Sequence, residues 1–110
     1  MRTLDSVAAL TPPTMIKVDA EGYEAQVFRG AQAVLSSPLL KAVITEGQRP
    51  ADIALLLKAG FAQYKYDPFQ RMLSRVGTGS GNNALFLRDS SFAATRLKGA
   101  PSFQVLGYTI

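Results

Sequence analysis

Acidic side chains carry most of the chemistry that this chain can perform. Its 110 residues include no histidine and no cysteine, which excludes a Ser-His-Asp triad, a histidine base and thiolate metal sites. Acid–base chemistry must therefore use Asp, Glu, Lys or Tyr. Three acids stand out, because Asp19 and Glu21 follow one apolar run and Glu46 closes another. They are candidates for a general base, or for hydrogen bonds to a substrate hydroxyl.

The segment around Asp19 predicts how the first two acids are positioned. Met15–Val18 predicts a short buried strand that ends at Asp19. In an open α/β sheet, ligands collect outside the carboxyl ends of the strands, so Asp19 and Glu21 fall where chemistry is usually done. After Gly22, apolar residues at helical spacing predict one helix over roughly residues 23–35.

An electrostatic interpretation of the acids near this helix competes with the chemical one. Glu21 and Glu24 precede or open the helix, where its partial positive charge stabilises acids by about 0.3–1 kcal/mol each. Lys17 is expected to point away from the site as a solvated or ion-paired strand residue.

The remaining pattern alternates strands and helices, which predicts an α/β fold with parallel pairing and crossover helices. Continuously apolar Ala84–Leu87 suits a central strand, whereas the alternation in residues 61–66 suits an edge strand. The expected spatial order therefore begins with Met15–Val18 and the strand at 41–46, followed by the strand at 84–87 and then the strand at 61–66. The predicted elements after the first helix are strands at 41–46, 61–66 and 84–87, a helix between Pro50 and Gly60, and short strands at 71–74 and 103–106.

Three segments are expected along the chain. Residues 1–14 form a leading segment that ends in an extended Thr11-Pro12-Pro13-Thr14 linker. Residues 15–88 form the α/β domain, and residues 89–110 form a tail that is broken at Gly99-Ala100-Pro101.

Charge and hydropathy limit the partners. The net charge is +4, but the 12 basic residues are scattered, so no nucleic-acid partner is expected. No apolar run approaches the roughly 20 residues that span a bilayer, and the first residues lack the apolar core of a signal peptide. We therefore expect a cytoplasmic protein without membrane contact.

A glycine-rich stretch, Gly77-Thr78-Gly79-Ser80-Gly81, is similar to the turns that hold nucleotide cofactors between a strand and a helix. Here the following residues predict a strand, so we interpret the stretch as a connection. The alternative is a circularly permuted enzyme in which this loop is the cofactor site.

Residues 16–24 closely resemble the Lys-Ile-Asp-x-Glu-Gly-x-Glu signature of FkbM-type methyltransferases. The resemblance extends over residues 3–88. Its supporting pieces are Thr3-Leu4-Asp5-Ser6-Val7, Arg29-Gly30-Ala31, Glu46, Ala59-Gly60-Phe61 and an Asn before the last strand, Asn82 or Asn83.

The resemblance implies the carboxyl half of a Rossmann-like class I methyltransferase sheet, with an antiparallel final strand. It implies S-adenosylmethionine as cofactor and methyl transfer to a small-molecule hydroxyl of a sugar or secondary metabolite. Asp19, Glu21 and Glu46 would be catalytic, with Asp19 also beside the cofactor. Gly22, Tyr23 and Glu24 would contact the substrate. A divalent cation bridging Asp19 and Glu46 is chemically suitable but not required.

The family's cofactor loop lies upstream of its signature, and no such loop precedes residue 15 here. The isolated chain is therefore expected to be inactive without an amino-terminal half. The second hypothesis is a non-catalytic remnant or interaction module that self-associates. It expects residues 103–106, residues 1–7 or a second copy of the chain to pair with the edge of Met15–Val18.

Overall fold

The computed structural model describes residues 1–46, 48–77 and 82–110, which fold as a mixed α/β unit. Among these residues no helix combines the length and the apolar character of a membrane span. The helices are α1 (Leu4–Ala8), α2 (Glu24–Arg29), α3 (Gln32–Ser36), α4 (Pro50–Lys58) and α5 (Ser90–Gly99). The strands are β1 (Met15–Val18), β2 (Ala42–Thr45), β3 (Ala62–Asp67), β4 (Met72–Arg75), β5 (Ala84–Leu87), β6 (Gln104–Val105) and β7 (Tyr108–Thr109).

The main sheet has the order β1-β2-β5-β3-β4, which confirms the predicted placement of β5 between β2 and β3. β5 runs antiparallel to both neighbours, as expected. Among the described strands only β1 and β2 form a parallel pair, because β5 separates β2 from β3, so the parallel pairing expected along the chain is wrong beyond β2. The short strand expected near residues 71–74 is β4, which forms an antiparallel hairpin with β3. Because β4 occupies the sheet edge, the edge position expected for residues 61–66 is wrong.

The core lies on one face of this sheet. Residues in register on neighbouring strands point to the same face, and successive residues alternate between faces. The helix-covered face carries Val18, Val43, Ala84 and Phe86, which pack with Phe28 of α2 and Leu56 of α4. The opposite face carries Lys17, Ile44, Leu85 and Tyr64, none of which is fully buried, and Leu87, which is buried. We call it the open face.

The single helix predicted over residues 23–35 is wrong, because the structure divides it into α2 and α3. Gly30 ends α2, and its backbone N–H donates to Gln26 O at 3.1 Å. The Asp5 carboxylate then accepts the backbone N–H groups of Ala33 and Val34, at 3.0 and 2.9 Å. A second helix starts where this distant carboxylate satisfies its free N–H groups.

The leading segment is partly helical. Thr3 caps α1, because its hydroxyl accepts the Ser6 N–H at 3.2 Å. The Asp5 N–H donates to Gly30 O at 3.0 Å, so α1 packs onto the junction of α2 and α3. The prediction that residues 1–7 pair with β1 is therefore wrong.

The C-terminal residues form α5 and a separate hairpin. β6 pairs with β7 rather than with β1, so the predicted pairing of residues 103–106 with β1 is also wrong. Arg71 fixes this region, because its guanidinium donates to the carbonyl oxygens of Leu97 at 3.0 Å and Pro101 at 2.7 Å. Within the described residues, β1 has only β2 as a strand partner.

The helix predicted between Pro50 and Gly60 is confirmed as α4. Pro50 is its first residue, where a missing N–H costs nothing. Gly60 follows the C-cap with φ +93°, a left-handed conformation that glycine adopts without steric cost.

Candidate functional site

A tight turn follows β1 and presents the predicted acids. The Tyr23 N–H donates to Ala20 O at 3.2 Å, which closes a four-residue turn. Both central residues of this turn are left-handed, Glu21 with φ +51° and Gly22 with φ +96°. A non-glycine residue in that conformation costs about 1–2 kcal/mol, so other contacts must hold Glu21 there.

The contacts that hold the turn come from Glu24. Its side chain is 4% exposed, and its carboxylate accepts the N–H of Ala20 at 3.2 Å and of Gly22 at 3.1 Å. The pKa of Glu24 is lowered, chiefly by a hydrogen bond from its own backbone N–H and further by those of Gly22 and Ala20, while burial opposes the shift. Glu24 is therefore ionised at neutral pH, with both oxygens directed at the turn.

Arg49 ties the same turn to α4. Its guanidinium donates to Gly22 O and lies 3.6 Å from a Glu24 carboxylate oxygen. It also contacts the fully buried carboxylate of Asp52 at 3.3 Å, and this carboxylate accepts the Arg49 N–H at 3.0 Å. Sequence reasoning did not single out Arg49 or Asp52. A usable signal was present, because an acid three residues after a helix N-cap favours a capping interaction.

Asp19 and Glu46 meet at the carboxyl ends of the parallel pair. β1 and β2 are in register through Val18 and Thr45, and the Glu46 N–H donates to Val18 O at 3.4 Å. The pKa of Glu46 is raised, first by the negative charge of Asp19 and second by a hydrogen bond with the Asp19 side chain. The parallel pairing thus places the two acids next to each other at the rim of the sheet, and both residues are exposed.

Lys17 also belongs to this cluster. It lies on β1 in register with Ile44, on the open face, two residues before Asp19, which follows the strand. Its positive charge lowers the pKa of Glu46, opposing Asp19, whereas Glu21 contributes a weaker raising effect. Lys17 is exposed, as expected of a solvated strand residue, but its charge acts on Glu46, so it is not remote from the acids.

The structure therefore separates the predicted site residues into two groups. Asp19, Glu21 and Glu46 are exposed acids at one rim of the sheet. Gly22 and Glu24 belong to the turn that positions them, and Tyr23 is the N-cap of α2 with 67% of its surface exposed. The substrate contacts predicted for Gly22, Tyr23 and Glu24 remain predictions.

The glycine turn that the resemblance places before the signature has no counterpart in residues 1–14. Residues 1–14 contain no glycine, form α1 and add no strand beside β1. Most of the glycine-rich stretch, residues 78–81, lies outside the described residues. The elements that flank it are strands β4 and β5, so it does not join a strand to a helix. The described residues also hold no group of three His, Cys, Asp or Glu side chains suited to a metal ion.

Comparisons of the chain with protein-family models, with curated proteins and with solved structures returned no match.

Proposed function

We propose that this chain is the carboxyl portion of an S-adenosylmethionine-dependent methyltransferase that acts on a hydroxyl group. The observation that carries the proposal is the placement of Asp19 and Glu46 side by side at the ends of adjacent parallel strands. The sheet order and the antiparallel β5 agree with a partial Rossmann-like class I arrangement. The resemblance of residues 16–24 to the FkbM-type signature supplies the reaction class.

The carboxylate pair suits an alcohol that must lose its proton. A neighbouring negative charge makes a carboxylate more basic, so Glu46 is a better proton acceptor with Asp19 beside it than alone. Asp19, the first sequence candidate for the base, then acts together with Glu46. One carboxylate accepts the hydroxyl hydrogen bond, and the pair takes up the proton. Lys17 limits the excess negative charge at this rim.

The turn residues have a positioning role in this proposal. Glu24 and Arg49 fix the backbone of residues 20–22, which follows Asp19 directly. A group that must align with a reacting hydroxyl gains rate from such rigid placement. The methyl group would come from S-adenosylmethionine held by a glycine turn outside these 110 residues.

Two measurements test the proposal. Calorimetry should detect no S-adenosylmethionine binding by the 110-residue chain alone. Micromolar binding would overturn that expectation and favour the glycine-rich stretch as a cofactor site. The genomic sequence upstream of Met1 should encode, in frame, a strand followed by Gly-x-Gly-x-Gly. A stop codon there with no such element would contradict a single-chain enzyme.

Residue exchange tests the role of the acid pair in the longer polypeptide, assayed with a radiolabelled methyl donor. Asp19→Asn should abolish most methyl transfer while the protein keeps its fold. Glu21→Gln serves as the comparison, because Glu21 acts on Glu46 more weakly than Asp19 does. Full turnover in Asp19→Asn would remove the acid pair from the mechanism.

The second candidate is an interaction module that self-associates, because the free edge of β1 favours it. One side of β1 pairs with β2, and no described strand pairs with the other side. Such an edge is a template for a further strand. Sedimentation should then show concentration-dependent dimers, with slow hydrogen exchange at amides 15–18. A clean monomer with fast exchange at these amides would exclude this candidate.

A further inference from the structure

The acid pair continues into a row of side chains that crosses the sheet. The pairing of β2 with β5 ends at Thr45 and Ala84. Glu46 and Asn83 are the next residues at this end, so they are neighbours across the two strands. Asp19 and Glu46 flank the end of the β1–β2 pairing in the same way. Asp19, Glu46 and Asn83 therefore follow one another along the rim, all in line with side chains of the open face.

Asn83 also lines a groove of about 600 Å³ on the open face. The other described residues in its wall are Tyr64 and Tyr66 of β3, Leu85 of β5, Val76 after β4, and the polar Gln63 and Lys65 of β3. Tyr64 and Leu85 are paired across the two strands, and both are half-buried. The groove thus begins at the rim next to the acid pair and extends over an aromatic and aliphatic floor.

The rings and apolar side chains of this wall favour a flat ligand. Tyrosine rings favour stacking or edge contacts with another ring, and Leu85 and Val76 offer apolar surface. The Asn83 amide can both donate and accept a hydrogen bond. The carboxylates at the neighbouring rim can accept a hydrogen bond from a hydroxyl group. A volume in this range suits a molecule of one or two rings.

We propose that this groove binds an aromatic alcohol, with its ring against Tyr64 and Tyr66 and its hydroxyl directed past Asn83 toward Glu46. A sugar ring would present hydroxyl groups to Val76 and Leu85, which cannot satisfy them. This inference deepens the proposed function, on which it rests for the ligand's role as methyl acceptor. Ring binding itself requires neither the cofactor nor catalysis.

The test is a titration of the isotope-labelled chain followed by NMR, with resorcinol as the probe. Chemical shifts should move for Tyr64, Tyr66, Asn83 and Leu85, with millimolar affinity. Tyr64→Ala should weaken binding roughly three- to tenfold, whereas Tyr64→Phe keeps the ring and should bind like the parent. The saturated analogue 1,3-cyclohexanediol should bind more weakly by a similar factor.

Tyr108→Ala is the matched control, because Tyr108 is an exposed tyrosine of the C-terminal hairpin whose ring contacts Phe69. It should leave the affinity unchanged. Tyr66→Ala repeats the test at a second position should Tyr64→Ala fail to fold. Shifts spread over the whole surface, equal loss in Tyr108→Ala, or glucose binding more tightly than resorcinol would each overturn the proposal. Because methyl transfer is not read out, failure here is distinguishable from failure of the proposed function.

Discussion

Asp19 raises the pKa of Glu46 through its charge and through a hydrogen bond between the two carboxyl groups. These residues are 27 positions apart in the sequence, and the parallel pairing of β1 with β2 brings them together. The pair therefore exists only in the folded chain, which makes its electrostatics visible in the pH dependence of stability.

Asp19→Asn should raise the thermal midpoint at pH 7. A raised folded pKa means that Glu46 favours folding only while it is protonated, so stability falls as pH rises above about 4.5. Removing the Asp19 charge removes this loss of stability at pH 7. Below about pH 4.5 the gain in the thermal midpoint should therefore vanish. Thermal melts at pH 4 and pH 7 measure it, and 1 M NaCl should reduce the gain. Equal gains at both pH values would contradict the explanation.

Glu24→Gln should destabilise the chain by about 1–3 kcal/mol at pH 7, because charge-assisted hydrogen bonds to the turn are lost. The lowered folded pKa of Glu24 gives stability that is present above about pH 4.5 and is lost as pH falls through the folded pKa. Urea titrations at several pH values should show that the variant lacks this acid-dependent loss. The control is Glu21→Gln, because Glu21 is exposed. Its free energy of unfolding should stay within about 0.5 kcal/mol of the parent value at pH 7.

Arg88→Met should cost about 2–3 kcal/mol of unfolding free energy. The Arg88 guanidinium donates to Leu35 O and Ser37 O at the end of α3, and to Ala59 O at the end of α4. It also lies 4.5 Å from the centre of the Phe61 ring. Burial lowers the pKa of Arg88, yet a guanidinium stays charged. Methionine cannot donate hydrogen bonds, so the substitution leaves these carbonyl groups unpaired.

The control for Arg88 is Arg96→Met on exposed α5, which should change stability by less than about 0.5 kcal/mol. Equal effects of the two arginine substitutions in urea titrations would show that Arg88 acts through net charge rather than through the helix ends.

Asp5→Ala should loosen α3 selectively and cost about 1–2 kcal/mol, as the loss of a helix cap does. The Asp5 carboxylate accepts two N–H groups at the start of α3, so hydrogen exchange at amides 33 and 34 should accelerate. The Phe92 amide, which Asp89 caps at 3.1 Å, provides an internal reference and should keep its rate. Unchanged exchange at amides 33 and 34 would show that Asp5 is not their cap.

Short sequence patterns predicted most strands of the main sheet, because the burial of each strand is reflected in its own residues. Continuous apolarity placed β5 in the centre, and Pro50 and Gly60 marked the ends of α4. The acids at the ends of β1 and β2 were likewise visible, since each follows an apolar run directly. Their coupling followed from parallel pairing alone.

The errors arose where distant residues decide the local structure. The break between α2 and α3 depends on Asp5, which lies 28 residues before Ala33. No periodicity within residues 23–35 contains that information. α5 has no buried residue, so it lacks the apolar face by which helices are found, although Asp89 marks its N-cap.

The C-terminal hairpin differs from the single strand predicted over residues 103–106, because Leu106 belongs to a turn. Leu106 and Gly107 form a two-residue turn with φ +49° and +83°, the left-handed geometry that joins tightly twisted strands. Arg49 was missed for a different reason: its contacts to Gly22 and Glu24 cross from α4 to the turn after β1. Such contacts become visible only when the packing of the helices is known.

The position of β5 also dictates when this molecule can finish folding during synthesis. β2 and β3 emerge early, but neither can gain its inner neighbour until Ala84–Leu87 has left the ribosome. Until then the nascent chain carries two unsatisfied strand edges and an incomplete core that lacks Phe86. Assembly is therefore a late, long-range closure rather than a stepwise one, and the growing chain depends on protection from association until that strand arrives.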